Sequence, residues 1–222
     1  MVIKPYAVVW DCCCDHGLLG FKILADGLVK HVNFVDVVPE ITQQLHQKIS
    51  TYAHHLPGDI SWKVLCENVG ELSLLDGQKA HAKNVHQLVI ISGVGGELMI
   101  EMLENLMTRY KGMDIDFLLC PVQHTYKLRA SLIKLNFKLI REQLVVENNR
   151  GYELILINQV GDRRIDVTGS ELWQPTSVHQ NYLSKLITHY QRSLLSKNID
   201  ISMYESALQD YTSILKQHYN RL

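Results

Sequence analysis

Short runs of β-branched and apolar residues alternate with amphipathic stretches from the start of the chain to about residue 136. That rhythm belongs to strand-helix units wound around a parallel sheet. It predicts strands at 7–11 (AVVWD), 31–36 (HVNFVD), 62–67 (WKVLCE), 86–92 (HQLVIIS) and 116–121 (DFLLCP). Between them, residues 17–28, 39–53, 96–110 and 125–136 carry apolar side chains at helical spacing, several opened by Pro, Gly or Thr. The pattern then changes, because residues 137–147 and 152–160 read as two strands joined by ENNRG, whose Asn and Gly suit a reversing turn. The expectation is an α/β, doubly wound sheet closed by a C-terminal antiparallel hairpin, which by fold-level analogy alone separates the methyltransferase variant of the fold from the plain dinucleotide-binding one.

From Val178 onward Leu183, Leu186, Tyr190 and Leu194, then Tyr204, Leu208, Tyr211 and Leu215, recur at steps of three and four. This spacing predicts a helical hairpin broken near Lys197–Ser202. The organisation read from the sequence is therefore a domain over 1–160, a polar, Gly- and Pro-containing linker over 161–177, and a helical hairpin over 178–222.

Composition adds few constraints. The chain is 46% hydrophobic and 20% charged, ordinary for a globular protein with a real core. No stretch approaches the ~20 apolar residues that cross a bilayer, and the brief apolar run before Asp11 lacks the length and cleavage site of a secretory signal. Cys12, Cys13 and Cys14 are adjacent and the cysteine count is 5, a poor disulfide framework. A cytoplasmic home with no membrane partner is expected. Those three cysteines read as small apolar fillers rather than metal ligands, since a zinc site needs spaced partners. The histidine pairs His54 and His55, and His179 and His189, also lack metal-ligand spacing and read as surface residues. The net charge of −1 is unevenly spread: residues 1–110 carry 8 Lys and Arg against 12 Asp and Glu, the remainder 14 against 11. A surface for a polyanion is expected toward the C-terminal half.

Ligands of doubly wound sheets sit outside the carboxyl ends of the strands, so the residues that follow each strand carry the candidate chemistry. After the first strand comes DCCCDHG (11–17), where Asp11 or Asp15 could hold an ammonium group and the next helix would present its positive end to a carboxylate. Asp36 ends the second strand, where an acidic residue accepts both hydroxyls of a ribose, a role it could play for either of two cofactor classes. Glu67 and Asn68 follow the third strand and suit an adenine's exocyclic amine. SGVGG (92–96) follows the fourth and lets backbone approach a ligand closely. Neither GxxxxGK[ST] nor GxGxxG after the first strand is present, so nucleotide hydrolysis and nicotinamide chemistry lack a basis.

Taken jointly, these motifs resemble the bacterial family of TrmK-type tRNA (adenine-N1)-methyltransferases, over about residues 8–158. The family's DxGSDH-like loop is matched by Asp11, Asp15 and His16. Its acidic end of the second strand is matched by Asp36, and its GMGG-like loop by Gly93, Val94, Gly95 and Gly96. A Leu-Arg pair resembles Leu128-Arg129, and a Tyr-Glu pair resembles Tyr152-Glu153. Departures are Cys13 in place of a glycine, Cys120-Pro121-Val122 in place of Gln-Pro-Asn, and Val94 in place of Met; only six residues precede the first strand, where the family has a helix.

The resemblance implies S-adenosylmethionine as cofactor and methyl transfer to N1 of an adenine in the D-arm of tRNA. It also implies a C-terminal hairpin that grips tRNA, here with Lys185, Arg192, Lys197, Lys216 and Arg221 on its faces. The cofactor set is then Asp11, Cys13, Asp36, Val37, Glu67, Asn68, Ser92, Gly93 and Gly95, with Asp15 and His16 as the catalytic pair. Two alternatives stay open at the level of sequence: a methyltransferase-like protein that binds cofactor or RNA without turnover, and one that methylates another substrate.

Overall fold

The structure, a computed structural model, describes residues 6–52, 60–74, 86–195 and 201–219. His54, His55, Lys197 and Arg221 lie outside the described residues. Seven strands form one sheet in the order β3-β2-β1-β4-β5-β7-β6. Strands β1 (Val8–Cys12), β2 (His31–Asp36), β3 (Ser61–Cys66), β4 (Gln87–Ser92) and β5 (Ile115–Cys120) are mutually parallel. Strands β6 (Lys138–Glu147) and β7 (Arg150–Asn158) form the antiparallel hairpin, and β7 inserts beside β5.

The two residues of the hairpin turn, Asn148 and Asn149, both have positive φ, at 49° and 60°. Asparagine tolerates that geometry, whose twist matches the flanking strands. This pair sets the hairpin register.

Because the parallel strands are covered on both faces, their side chains are apolar on both. On one face Trp10, Cys12, Val35, Val89, Ile91 and Phe117 pack against Met99, Leu103 and Leu106 of helix α3 (Gly96–Tyr110) and Leu128 and Leu132 of helix α4 (Thr125–Lys134). On the other, Val9, Val32, Phe34, Leu88 and Ile90 pack against Ile23 and Leu24 of helix α1 (Leu18–Ala25) and Leu45 and Ile49 of helix α2 (Pro39–Tyr52). Each such side chain removed from water contributes about 1.5–3 kcal/mol. Strand order reverses between β1 and β4, which opens a crevice at their carboxyl ends.

Helices α5 (Ser177–Ser193) and α6 (Ile201–His218) form the C-terminal hairpin. It is docked on the sheet domain. Leu183, Tyr190, Ala207 and Tyr211 share a core with Tyr126 of α4, Leu144 of β6, and Leu172 and Trp173. The Tyr211 ring lies 5.9 Å from Tyr126 and 5.7 Å from Tyr190, within the range of favourable aromatic pairs. Gly151 at the start of β7 is required here, because a β-carbon would run into the Tyr182 ring.

Residues 161–177 pack against the rest of the protein. Ile165, Leu172 and Trp173 are buried, the Leu139 amide donates to the Arg163 carbonyl, and His179 pairs with the Leu172 carbonyl. The polar composition hides three apolar anchors. His179 is accordingly half-buried at a junction, while His189 is exposed.

Candidate active site

The loops after β1, β2 and β3 are tied into one edge by the end of β2. Asp36 is 9% exposed, and its Oδ2 accepts from the Asp15 amide at 3.2 Å while Oδ1 accepts from the Val38 amide at 3.1 Å. The Glu67 amide donates to the Asp36 carbonyl at 3.1 Å, and the Cys14 amide to the Val35 carbonyl at 3.2 Å. Each carboxylate oxygen has two lone pairs, so Asp36 can brace its neighbours and still accept further bonds.

The β1 loop turns sharply. Cys13, Asp15 and Gly17 have φ of 57°, 47° and 66°, the left-handed region that favours glycine. Cys13 therefore carries a side chain through a bend that glycine makes without cost. Burial pushes its thiol up to about 11, so it stays a neutral thiol in the loop.

Asp11 differs from its sequence reading. Strand β1 continues through Cys12, so alternation turns the Asp11 side chain into the α1–α2 face. There it is 2% exposed and its Oδ2 accepts from the Gly20 amide at 2.9 Å. Burial lifts its carboxyl to about 6, with the Gly20 bond working the other way. Asp11 fixes α1 against the sheet.

Asp15 and His16 are exposed, with His16 Nε2 3.8 Å from Asp15 Oδ1. The His16 carbonyl receives Lys48 Nζ at 3.4 Å. Val37 is exposed at the same edge, and so are Glu67 and Asn68. Asn68 spends its side-chain oxygen capping the short 3-10 turn Val69–Glu71, accepting from the Gly70 amide at 2.9 Å.

The loops after β4 and β5 form a second linked pair. Ser92 is half-buried, and Gly93 has φ 79° with open space where a β-carbon would stand. The Val122 amide donates to the Val94 carbonyl at 3.0 Å, and the Gly96 amide to the Gln123 carbonyl at 2.9 Å. A β-carbon at Gly95 would meet the Gln123 Nε2 at 3.2 Å, and one at Gly96 would strike the His124 carbonyl. Both glycines permit the close approach of the two loops.

Sequence reading passed over three groups here: Gln123, His124, and the first turn of α3 with Glu97. Lys127 Nζ lies 2.6 Å from Glu97 Oε1, and this hydrogen bond holds the Glu97 carboxyl below its usual range. The Leu-Arg and Tyr-Glu pairs also acquire a structural role. Arg129, fully buried, donates from Nε and Nη2 to Glu153 Oε2 at 3.0 and 2.8 Å, and from Nη1 to Glu142 Oε2 at 2.6 Å. Tyr182 of α5 donates to Glu153 Oε1 at 2.9 Å, and the Glu171 amide to Glu142 Oε1 at 2.8 Å. One ionic cluster thus joins α4, the β6–β7 hairpin, residues 161–177 and the helical hairpin.

In sequence, residues 1–155 match the profile of a family described as Methyltransferase domain. The chain belongs to the methyltransferase domain family. No curated protein matches it in sequence. Among solved structures, Mycoplasma capricolum TrmK in complex with S-adenosyl-homocysteine is 18% identical with a TM-score of 0.70, covering 97% of this chain and 92% of that one. Bacillus subtilis m1A22 tRNA methyltransferase TrmK is 18% identical with a TM-score of 0.65, covering 97% and 93%. A Streptococcus pneumoniae structure in complex with S-adenosyl-L-methionine is 17% identical with a TM-score of 0.70, covering 96% and 94%. At such identities these likenesses establish the fold, and in this methyltransferase-family chain the shared fold extends across the helical hairpin. Among the described residues no helix is long and apolar enough to cross a membrane.

Proposed function

We propose that this chain is a cytoplasmic enzyme that transfers a methyl group from S-adenosylmethionine to N1 of an adenine in the D-arm of tRNA. The observation that carries the reading is the extent of the likeness to TrmK structures, which takes in the hairpin as well as the sheet domain. The motif set quoted from the sequence supports it independently.

The residues fit the cofactor. Asp36 offers a carboxylate to a ribose diol, exposed Val37 an apolar surface to an adenine face, and Gly93 an open backbone wall beside the crevice. Glu67, Asn68 and Ser92 complete the lining in this reading. Asp11 acts indirectly, by holding the helix that follows the loop. S-adenosylmethionine supplies a methyl group already activated by its sulfonium. What the protein contributes is alignment and exclusion of water. Asp15 and His16, exposed at the mouth of the β1 loop, remain the proposed pair at the transfer site.

A groove of about 830 Å³ between the β6–β7 turn and α5 is lined by Lys185, Arg192, His189, Asn149, Asn181 and Ser184, among others. Its cations and amides suit a phosphate backbone, and the β6–β7 turn at its edge lies beyond the carboxyl end of β5. N1 lies on the Watson-Crick edge, so a paired adenine must leave its stack to be methylated. Exposed Leu18, Leu98 and Val122 offer apolar surface to such a base. Incubating the purified protein with labelled S-adenosylmethionine and unmodified tRNA tests the proposal. Label in tRNA supports it; cofactor binding with no label in any RNA would overturn it in favour of binding without turnover.

A further inference from the structure

We propose that His124 meets the acceptor base and selects a purine with an amino group at C6 over guanine. The inference rests on the reading of the chain as an RNA methyltransferase and assigns the specificity of that site.

His124 precedes α4 with φ 59° and ψ 34°, although it is neither glycine nor asparagine. Loop contacts hold it there: its carbonyl accepts from the Leu128 amide at 3.0 Å, and the adjoining Gln123 carbonyl accepts from Gly96. The backbone is used, but the ring is not used as a tether. Nδ1 is shut off from solvent without a hydrogen-bond partner, and its distance of 3.6 Å to Glu97 Oε2 is an ion-pair distance rather than a hydrogen bond. The side chain is nevertheless 29% exposed. A partly exposed imidazole with an unpartnered nitrogen, on a left-handed backbone at a strand's carboxyl end, calls for a functional reason.

Its neighbours supply one. Glu97 faces it from α3, Lys127 pairs with that carboxylate from α4, and His189 approaches from α5, where burial and then the nearby His124 hold the His189 imidazole below its usual range. His189 also lines the polar groove. His124 borders the glycine loop, where its carbonyl faces Gly96, and it follows exposed Val122 and Gln123 in the chain.

Adenine presents an N6–H donor next to the N1 lone pair. Nε2 of His124, accepting from N6 while Nδ1 keeps its proton toward Glu97, fixes the base and leaves N1 free. Guanine offers an O6 acceptor and an N1–H donor in those places and leaves the ring unmatched. As N1 forms its bond to the methyl carbon, the carbon-sulfur pair returns to sulfur and the positive charge passes to the base. The N6 proton, now more acidic, can move to His124, whose imidazolium would face the Glu97 carboxylate.

Three measurements test this on the full chain with His124→Gly and His124→Asn. Calorimetry should give S-adenosylmethionine affinities within about twofold of the parent, because His124 is assigned to the acceptor. Single-turnover transfer to unmodified tRNA should fall by ~100-fold in His124→Gly, the scale of a lost acid-base group. His124→Asn, which keeps the backbone conformation and an acceptor, should retain more of the rate. In the parent, the His124 ring resonances should shift on adding a D-arm stem-loop, and not when its target adenine is replaced by guanine. A folded His124→Gly at the parental rate, or ring resonances blind to the stem-loop, would overturn the assignment. Should the parent transfer no methyl group to tRNA, the functional reading fails on its own, and the resonances alone decide whether His124 contacts the base.

Discussion

Replacing Arg129 by methionine removes the one cation from a cluster in which Glu142 and Glu153 are 0% and 1% exposed. Methionine fills similar volume, so the loss is chiefly electrostatic. Burial alone would oppose the charge on Arg129, but Glu153 and Glu142 more than offset that and hold its proton firmly. Without it, two buried carboxylates lose three hydrogen bonds from the guanidinium and repel one another, and the Asp166 carbonyl loses its bond from Nη1. Breaking a buried pair in this way costs about 3–5 kcal/mol. For a chain of this size that lowers the melting temperature by roughly 6–20 °C. Arg129→Lys keeps the charge but places one compact ammonium where a planar fork served three acceptors, and should fall between the two. Thermal melts followed by circular dichroism measure the effect. The triple replacement Arg129→Met, Glu142→Leu, Glu153→Met should recover much of the loss, since the charges would then be absent together. An Arg129→Met protein that melts within about 2 °C of the parent would refute the account of the cluster.

Asp36→Ala should weaken S-adenosylmethionine binding by about 1.5–3 kcal/mol, read by calorimetry on folded protein; unchanged affinity would remove Asp36 from the cofactor site. Asp11 carries a carboxyl raised to about 6 by burial, so the native state holds the proton more tightly than the unfolded chain. Its effect on stability is favourable below about pH 4 and is lost as pH rises through 6, up to about 3 kcal/mol. Asp11→Asn, which can still accept from the Gly20 amide, should therefore gain on the parent in melting temperature between pH 4 and 7, and parallel curves would contradict the assignment. Lys185→Ala with Arg192→Ala should lower the slope of log tRNA affinity against log salt by about 2 if both meet phosphates, without changing cofactor affinity. Deleting 178–222 is the harsher test: it strips Leu183, Tyr190 and Tyr211 from Tyr126 and Leu144, so aggregation is expected instead of a clean loss of tRNA binding.

The order of strands and helices was legible because each parallel strand is a short β-branched run and each crossover helix keeps its apolar spacing. Asn148-Asn149 was legible as a turn for the same local reason. Asp36 was legible as the acidic end of β2 because a short β-branched run stops at it. Asp11 was misplaced by one strand residue: the sequence does not mark that β1 runs through Cys12, and that single step turns a loop side chain into a buried one. The packing of 161–177 was hidden because Ile165, Leu172 and Trp173 are scattered in a polar stretch with no period. His124 gave no signal either, since a positive φ on histidine is imposed by the meeting of two loops that are distant in sequence from one another.

Methyl transfer to an adenine N1 is tested most directly by mapping the modified position. An N1 methyl blocks Watson-Crick pairing, so reverse transcription of tRNA treated with the protein and S-adenosylmethionine should stop at one D-arm adenine, and nuclease digestion should release 1-methyladenosine. Stops that require both protein and cofactor are the predicted result. Methylation at another atom, at another base or in no RNA, by protein shown to bind the cofactor, would contradict it.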